Sequence, residues 1–341
     1  MSDLKFAVMG TGFWAQFQIP AWFEVAGVQL VAVYNRTVSR AEKVAETFNI
    51  PRVYGDPDEL FQNEELDFVD IITEIEAHAP LVYLAAKYQV PVICQKPMAP
   101  DYETAQKMVG ACQEAGVPFF VHENFRWQTP LRALKGILDE GTIGQPFRAR
   151  IQWVHGLESF VWENQPTLKT LDHLCLTDIG SHLLDLARFY FGEPQSLYCQ
   201  HFRTRDDIAG DDAASVVLKM GDALCTCEIS LSSKTEWGHF PETFAYIEGD
   251  KGTIELGPGY WIRVTTDEGT HSRRYPCPRY PWADPDYDVA HASIVACHAN
   301  ILQALKTGQP AETSGEDNLN TMRLVYSAYE SAERNQVITL D

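Results

Sequence analysis

The sequence predicts an α/β protein whose two domains differ in sheet type, an N-terminal parallel sheet and a C-terminal open, mainly antiparallel sheet. Over roughly the first 120 residues, short apolar runs alternate with helix-like segments. That alternation is typical of a parallel sheet with helices on both faces. After about residue 126, strand-like runs follow one another with few helices between them. Such a succession indicates antiparallel pairing.

The first part of the chain predicts five buried strands and four helices. Apolar runs place the strands, and helical periodicity places the helices. The strands are expected at 6–9, 29–34, 68–72, 90–94 and 118–121, and the helices at 15–26, 39–48, 80–88 and 101–115.

The second part predicts seven strands, one internal helix and two closing helices. A Pro-rich stretch at 275–285 is expected to be a loop. The change of rhythm places a domain boundary so that residues 1–124 form one domain and 125–341 the other. The strands are expected at 147–154, 196–203, 214–219, 224–230, 243–248, 252–256 and 261–266, and the helices at 177–191, 293–307 and 317–333.

Length and charge limit the function classes. A chain of 341 residues suggests about two domains. Lys and Arg number 27 against 47 Asp and Glu, a net charge of −20. Such a charge argues against nucleic acid and anionic membranes as partners. The sequence contains no apolar run of 18 residues, so we expect no transmembrane helix.

The cysteines and the chain start predict a cytoplasmic protein without a structural metal. Eight cysteines are scattered without a CxxC pair, and Cys225 with Cys227 is weak evidence for zinc. Cysteines in this arrangement are typical of reduced core residues. The first residues contain no signal-peptide core and lead directly into a strand.

A glycine-rich turn predicts that the first domain is a Rossmann dinucleotide-binding domain. Gly10, Gly12, Phe13, Trp14 and Ala15 fit G-x-G-x-x-A between an apolar strand and a helix. The glycines allow a tight turn and close approach to a pyrophosphate, and the helix N-terminus supplies free N–H groups.

The end of the second strand bears on the choice of cofactor. Asn35 stands where an acidic residue would bind a ribose 2′-hydroxyl and repel a 2′-phosphate. Asn35 is neutral and accepts either group, and Arg36 follows it. The sequence therefore leaves NAD and NADP open.

Three polar residues suit the oxidation of a carbinol, which loses a hydride to a nicotinamide and a proton to a base. Asp178 and His182 are four residues apart on a predicted helix, and so share a face. A neutral histidine is the usual base near pH 7, and a carboxylate can hold its tautomer. Lys96 ends a parallel strand, and its ammonium can stabilise developing alkoxide charge. Asp185 continues the same stripe, and Asp178, His182 and Asp185 could instead bind a metal.

Several motifs in order resemble the glucose–fructose oxidoreductase / inositol dehydrogenase (Gfo/Idh/MocA) family. They are the glycine-rich turn, Thr73 with His78, the run VICQKPMA, the run DIGSHLLD, and the stretches 212–218 and 248–256. The resemblance covers essentially the whole chain. It implies hydride transfer between NAD or NADP and a carbohydrate hydroxyl, with Lys96, His182 and Asp178 catalytic and Thr73, His78 and Gln95 at the cofactor.

Two departures from the family pattern affect the predicted site. Gln95 replaces the glutamate of the E-K-P motif, which removes a carboxylate beside Lys96. Asp172 to Cys175 stand where the family often has Gly-Gly. Bulkier side chains there should reshape the substrate pocket.

The segment after the last Rossmann strand supplies candidates for binding a polyhydroxylated ligand. Donors, acceptors and aromatic faces suit such a ligand, although Trp127 could be core and Arg126 could pair with a carboxylate. The runs PVICQKPMAP and HENFRWQTPLRALKG resemble a family branch that oxidises D-apiose, so a D-apiose-like sugar is implied. The candidates are Asn124, Arg126, Trp127, His155 and Trp162.

The sequence therefore favours an NAD(P)-dependent sugar or polyol dehydrogenase. Two alternatives share the fold: an NAD-dependent glycoside hydrolase working by oxidation and elimination, and a non-enzymatic nucleotide-sensing regulator. An open antiparallel sheet has two faces, and few helices are available to cover them. We therefore expect a homodimer or homotetramer.

Overall fold

The computed structural model describes residues 3–156, 159–235 and 242–340. The chain divides into two compact units, of which the first runs to Asn124 and also takes up Ile294–Met322. The sequence prediction drew the second domain as the continuous range 125–341, so residues 294–322 are a correction. This segment joins the first unit partly through its backbone, since the Val121 N–H donates to the Thr313 carbonyl (2.9 Å).

The first unit is built on a six-stranded parallel sheet in the order β3-β2-β1-β4-β5-β6. This order is that of the Rossmann fold, as predicted. The sequence missed two short elements, β3 and α3. The strands are β1 (Leu4–Met9), β2 (Val28–Tyr34), β3 (Arg52–Tyr54), β4 (Phe68–Ile71), β5 (Val92–Gln95) and β6 (Phe119–His122), and the helices are α1 (Ala15–Phe23), α2 (Val38–Phe48), α3 (Pro57–Asn63), α4 (His78–Lys87) and α5 (Tyr102–Ala115).

Aromatic packing holds this sheet to its first helix. The rings of Phe6 on β1 and Phe68 on β4 stack at 4.8 Å, and Trp22 of α1 lies 5.2 Å from each of them. All three side chains are fully buried. Burial of each such side chain contributes about 1.5–3 kcal/mol to folding.

The second unit is built on a nine-stranded sheet in the order β14-β13-β12-β11-β7-β10-β9-β8-β15. Its pairs are antiparallel except β7 with β10, which run parallel. The sheet is therefore mixed, although mainly antiparallel as expected, and the sequence missed β14 and β15. The strands are β7 (Pro146–Val154), β8 (Ser196–Phe202), β9 (Ala213–Met220), β10 (Ala223–Ser230), β11 (Phe244–Gly249), β12 (Gly252–Gly257), β13 (Trp261–Thr266), β14 (Gly269–Arg274) and β15 (Ile338–Thr339).

The helices of the second unit differ from prediction mainly at their starts. The segment expected as one α-helix at 177–191 begins with a π-helical turn, Leu176–Gly180, before regular α-helix. The last two helices begin earlier than expected, and each is divided between the two units. The helices are α6 (Thr129–Asp139), α7 (Ser159–Asn164), α8 (Ser181–Phe191), α9 (Asp288–Thr307) and α10 (Gly315–Arg334).

One face of the nine-stranded sheet forms the core of the second unit. Residues alternate along β10, where Cys225, Cys227 and Ile229 are buried. The Cys227 thiol contacts the carbonyl of Leu183 in α8. All eight cysteines of the chain lie among the described residues, and each is an unpaired buried thiol. They are core residues, as the sequence indicated.

Within the described ranges, none of the helices combines the length and the apolar character needed to cross a membrane.

Candidate active site

The glycine-rich turn of the first unit has the geometry of a nucleotide cradle. Gly10 has a φ of +115°, and a Cβ there would lie 2.1 Å from the Ile72 carbonyl oxygen, so only glycine fits. A Cβ on Gly12 would meet nothing within 4 Å. The backbone at Gly12 is therefore open to close approach, and α1 begins three residues later. These features fit the pyrophosphate of a dinucleotide.

Phe13 and Trp14 pack at the start of α1. Their rings lie 5.5 Å apart, and both also contact Phe17 one turn further on. Both side chains remain partly exposed. The two aromatic residues therefore shape the first turn of the helix that the cofactor would face.

Asn35 ties the end of β2 to the glycine-rich turn. Its side-chain Nδ2 donates to Thr11 Oγ1 (2.6 Å), and its Oδ1 accepts from the Thr37 backbone N–H (2.8 Å). Since a backbone N–H can only donate, the orientation of the Asn35 amide is fixed. Arg36 next to it is exposed.

Thr73 and His78 lie at the carboxyl end of β4. The Thr73 hydroxyl oxygen is buried and has no hydrogen-bond partner among the described residues. A buried polar group without a partner calls for an explanation, and a bound cofactor would supply one. The His78 ring instead lies against the carbonyls of Thr73, Pro97 and Met98. It thus links the loops after β4 and β5, and burial lowers the pKa of its imidazole.

Gln95 and Lys96 end β5, at the edge where parallel sheets bind ligands. Gln95 Oε1 accepts from the Lys96 backbone N–H (2.7 Å), and Gln95 Nε2 donates to Gln18 Oε1 (2.8 Å). Lys96 is partly buried. Gln95, expected at the cofactor, is thus bonded inside the unit on both ends of its amide.

Asp178 and His182 belong to the second unit and flank the end of the π-helical turn. The His182 ring is 2% exposed and stacks on Phe125 at 3.7 Å, with the planes 5° apart. Asp178 is partly exposed. The π turn changes the regular i, i+4 spacing on which the sequence prediction relied. Such turns inside helices are frequent at functional sites.

Asp211 anchors the segment that leads into the π turn, and sequence reasoning missed it. Its carboxylate accepts from the Leu174 N–H (2.8 Å), the Cys175 thiol (2.7 Å) and the Tyr329 hydroxyl (3.1 Å). A Cβ on the neighbouring Gly210 would lie 2.4 Å from the Leu171 carbonyl. Gly210, next to Asp211, was the available signal, because a glycine can mark a position where another backbone segment approaches closely.

Arg126 was predicted to bind substrate, and the structure commits it to an ion pair. Its Nε and Nη2 donate to the two carboxylate oxygens of Asp185, at 2.6 and 2.7 Å. Both side chains are at most 6% exposed. Asp185, the last residue of the run DIGSHLLD, therefore holds α8 to the segment at Arg126. The alternative of a carboxylate partner is the one observed.

The other predicted substrate residues are packed in different ways. The Trp127 ring lies 3.8 Å below the Arg132 guanidinium, and the Trp162 ring lies under Lys169 and Arg205. Both indole N–H groups are buried and unpartnered within the described ranges. His155 contacts the Glu242 carbonyl (2.9 Å), and burial lowers its pKa. Asn124 is buried in the first unit.

No group of three or more potential metal ligands occurs among residues 3–156, 159–235 and 242–340.

Comparison with known proteins identifies the family. A profile described as "Oxidoreductase family, NAD-binding Rossmann fold" matches residues 4–123. A second, the GFO/IDH/MocA C-terminal domain, matches residues 131–255. The chain belongs to the Gfo/Idh/MocA family of oxidoreductases. The resemblance inferred from the motifs is therefore confirmed, and the first unit belongs to an NAD-binding Rossmann family.

Individual relatives in the family match over the full length. The chain is 38% identical to a D-apiose dehydrogenase of Rhizobium rhizogenes, over 100% of this chain and 98% of that protein. It is 35% identical to a D-apiose dehydrogenase of Paraburkholderia graminis, over 98% and 89%. A crystal structure of an Agrobacterium radiobacter oxidoreductase with NAD+, L-tartaric acid and magnesium matches with a TM-score of 0.96, 37% identity and coverage of 99% and 98%. This member of the family is therefore an enzyme acting on a CH–OH group.

The Arg126–Asp185 pair predicts a stability effect. Arg126→Ala should leave the buried Asp185 carboxylate without its bidentate partner, which costs about 3 kcal/mol of unfolding free energy. Chemical denaturation measures this loss. Lys107→Ala is the matched control, because it removes the exposed Lys107–Glu103 pair, worth at most about 0.5 kcal/mol. Unchanged stability with a raised substrate KM would instead make Arg126 a substrate residue.

Proposed function

We propose that this chain is an NAD-dependent dehydrogenase that oxidises D-apiose or a closely related sugar. The observation that carries the proposal is the full-length identity of 38% and 35% to two D-apiose dehydrogenases. The glycine-rich turn and the Thr73 hydroxyl, which has no partner among the residues that the structure describes, support a dinucleotide in the first unit.

The catalytic roles follow from the chemistry of the reaction. When NAD is bound, its nicotinamide would supply the hydride acceptor for the oxidation of the carbinol. His182 would take the hydroxyl proton, with its ring held flat against Phe125. Asp178 would orient His182, and Lys96 would stabilise the charge that develops on the same oxygen.

The cofactor contacts are proposed for residues of the first unit. Gly10 and Gly12 would receive the pyrophosphate, Phe13 and Trp14 would border it, and Asn35 with Arg36 would face the ribose. Thr73 would use its buried hydroxyl, whereas His78 would act by holding the loops around it. Gln95 would act through Lys96.

Substrate contacts are proposed for the polar and aromatic residues near the domain junction in sequence. Trp127 and Trp162 each have a buried indole N–H without a partner among the described residues, and a sugar hydroxyl could accept a hydrogen bond from it. Asn124 and His155 remain candidates. Arg126 would contribute through its ion pair with Asp185.

We further propose a homodimer or homotetramer through the outer face of the nine-stranded sheet. Val217 on β9 and Leu224 on β10 are 39% and 49% exposed there, alternating with buried residues of the same strands. Apolar residues on an open sheet favour burial against a second copy. Eight free thiols also support a reducing compartment, the cytoplasm.

A substrate panel tests the proposed activity. With NAD+ and D-apiose, absorbance at 340 nm should rise, faster than with D-xylose, D-glucose or myo-inositol as matched sugars and polyols. Cleavage of glycosides without net NADH would favour the hydrolase alternative. Binding of NAD+ without turnover of any sugar would favour the sensor.

Lys96→Met and His182→Asn test the catalytic roles. Each should lower kcat by roughly a hundred- to ten-thousand-fold, because each removes a group from the proton transfer. The double variant should lose far less than the product of the single losses, because both serve one step. Stopped-flow turnover measures this, and NAD+ titration of His182→Asn serves as the control for folding. Near-native turnover of His182→Asn would refute the mechanism.

Asn35→Asp tests the reading of the ribose. The added charge should repel a 2′-phosphate and so raise the ratio of NADP to NAD dissociation constants at least tenfold. The Thr11 hydroxyl can donate to the new carboxylate, so the link between Thr11 and residue 35 is kept. Fluorescence titration with both reduced cofactors measures the ratio. An unchanged ratio would show that another residue discriminates between the cofactors.

A further inference from the structure

A chain of buried hydrogen bonds runs through the first unit from the Lys96 backbone to Asp70. The Lys96 N–H donates to Gln95 Oε1 (2.7 Å), Gln95 Nε2 donates to Gln18 Oε1 (2.8 Å), and Gln18 Nε2 donates to the Asp70 carboxylate (3.0 and 3.1 Å). The Trp22 indole N–H also donates to Asp70 (2.8 Å). The side chains of Gln18, Asp70 and Gln95 are all buried.

The direction of this chain is fixed at both ends. The Lys96 backbone N–H and the Trp22 indole N–H are donors and cannot accept. Gln95 must therefore turn its oxygen to Lys96 and its nitrogen to Gln18. Gln18 must in turn present its oxygen to Gln95 and its nitrogen to Asp70. The chain can only end on an acceptor, which is the carboxylate of Asp70.

We propose that Asp70, acting through Gln18 and Gln95, is a positioning residue for Lys96. The hydrogen-bonded chain between them then needs an amide rather than a carboxylate at position 95. The proposal deepens the function proposed above and rests on Lys96 being catalytic. It also explains the departure from the E-K-P motif. A glutamate at 95 has no donor for Gln18 while Asp70 is ionised.

The surroundings of Asp70 make a second carboxylate costly. Within the described residues, the one basic side chain within 4 Å of Asp70 is His298, whose Nε2 lies 3.9 Å from Oδ2. Burial holds the pKa of His298 well below its ordinary value, so its ring is neutral. Burial raises the pKa of Asp70 to about 7, while the bonds from Trp22 and Gln18 lower it. Neutral N–H donors, and no buried cation, therefore stabilise the single charge.

Each single exchange breaks one link of the chain. In Gln95→Glu, the new carboxylate must accept from Gln18, so the Gln18 amide turns; at a pH above the pKa of Asp70, its oxygen then faces an ionised carboxylate that has no proton to donate. In Asp70→Asn, an amide oxygen at the Oδ2 position can accept from Trp22 and from Gln18, but the amide nitrogen then takes the Oδ1 position, where donor faces donor at Gln18 Nε2. Unmatched buried polar groups of this kind are unfavourable.

The double exchange restores every link with the charge at the other end. In Gln95→Glu with Asp70→Asn, the glutamate accepts from Lys96 and from the turned Gln18. Gln18 then accepts from the new asparagine, whose oxygen accepts from Trp22. All donors are matched, and one charge remains.

The test compares kcat/KM for D-apiose, the substrate proposed above, in the two single variants and the double variant, at a pH above the pKa of Asp70. Each single variant should lose at least tenfold, and the double variant should regain at least tenfold over the weaker single variant. The control variants Gln303→Glu and Asp267→Asn make the same exchanges at exposed positions outside the hydrogen-bonded chain. Their kcat/KM should stay within twofold of wild type. A double variant no better than either single variant would overturn the proposal.

Two further measurements separate positioning from folding and from the proposed function. Recovery of the unfolding midpoint without recovery of kcat would show a purely structural chain and would also overturn the proposal. Gln18→Met removes the bridge, so in that background the two exchanges should show no mutual rescue; rescue there would contradict the proposed route.

If Lys96→Met keeps native turnover, the catalytic role of Lys96 fails. If Lys96→Met is inactive and rescue is absent, only this inference fails.

Discussion

Three fully buried carboxylates hold the functional segments of this protein, and each must be matched by donors because an unpaired buried charge is prohibitively costly. In the unit that carries Lys96, the Asp70 carboxylate accepts hydrogen bonds from Gln18 and Trp22. Asp185 receives Arg126 on the helix that carries His182. Asp211 receives the backbone before the π turn that carries Asp178. Each proposed catalytic residue thus sits on a segment fixed by a carboxylate that faces the protein interior.

The three anchors solve the same problem with different chemistry. Arg126 and Asp185 form a bidentate pair, which is strong and directional. Asp70 and Asp211 instead collect neutral donors from indole, amide, hydroxyl, thiol and backbone groups. In the Asp70 network, the carboxylate at one end accepts hydrogen bonds from neutral donors. The orientations of the Gln18 and Gln95 amides are therefore determined. This is the physical reason that Gln95 can replace the glutamate of the family motif without leaving a buried group unsatisfied.

The assignment to the Gfo/Idh/MocA family joins these local observations to chemistry. The family supplies NAD-linked oxidation and reduction, and two relatives that match over nearly the whole chain are D-apiose dehydrogenases. The structure shows which of the predicted ligand-binding residues are bonded to the protein itself. His78 and Arg126, which motif reasoning assigned to ligands, are bonded to loops and to a carboxylate of the protein itself. Thr73, Trp127 and Trp162 retain buried polar atoms without a partner among the described residues.

Local patterns in the sequence determined the Rossmann unit, the mainly antiparallel second sheet and the nucleotide turn. Apolar runs, periodicity and the glycines at 10 and 12 express short-range preferences that tertiary contacts did not override. The parallel pairing of β7 with β10, the return of residues 294–322 to the first unit and the π turn at 176–180 have no such local signature. They depend on partners distant in the chain: β10 for β7, Val121 for Thr313, and Asp211 for Leu174. Only the tertiary structure could decide which buried polar residues serve each other, because a hydrogen bond between Gln18 and Gln95 joins residues 77 positions apart.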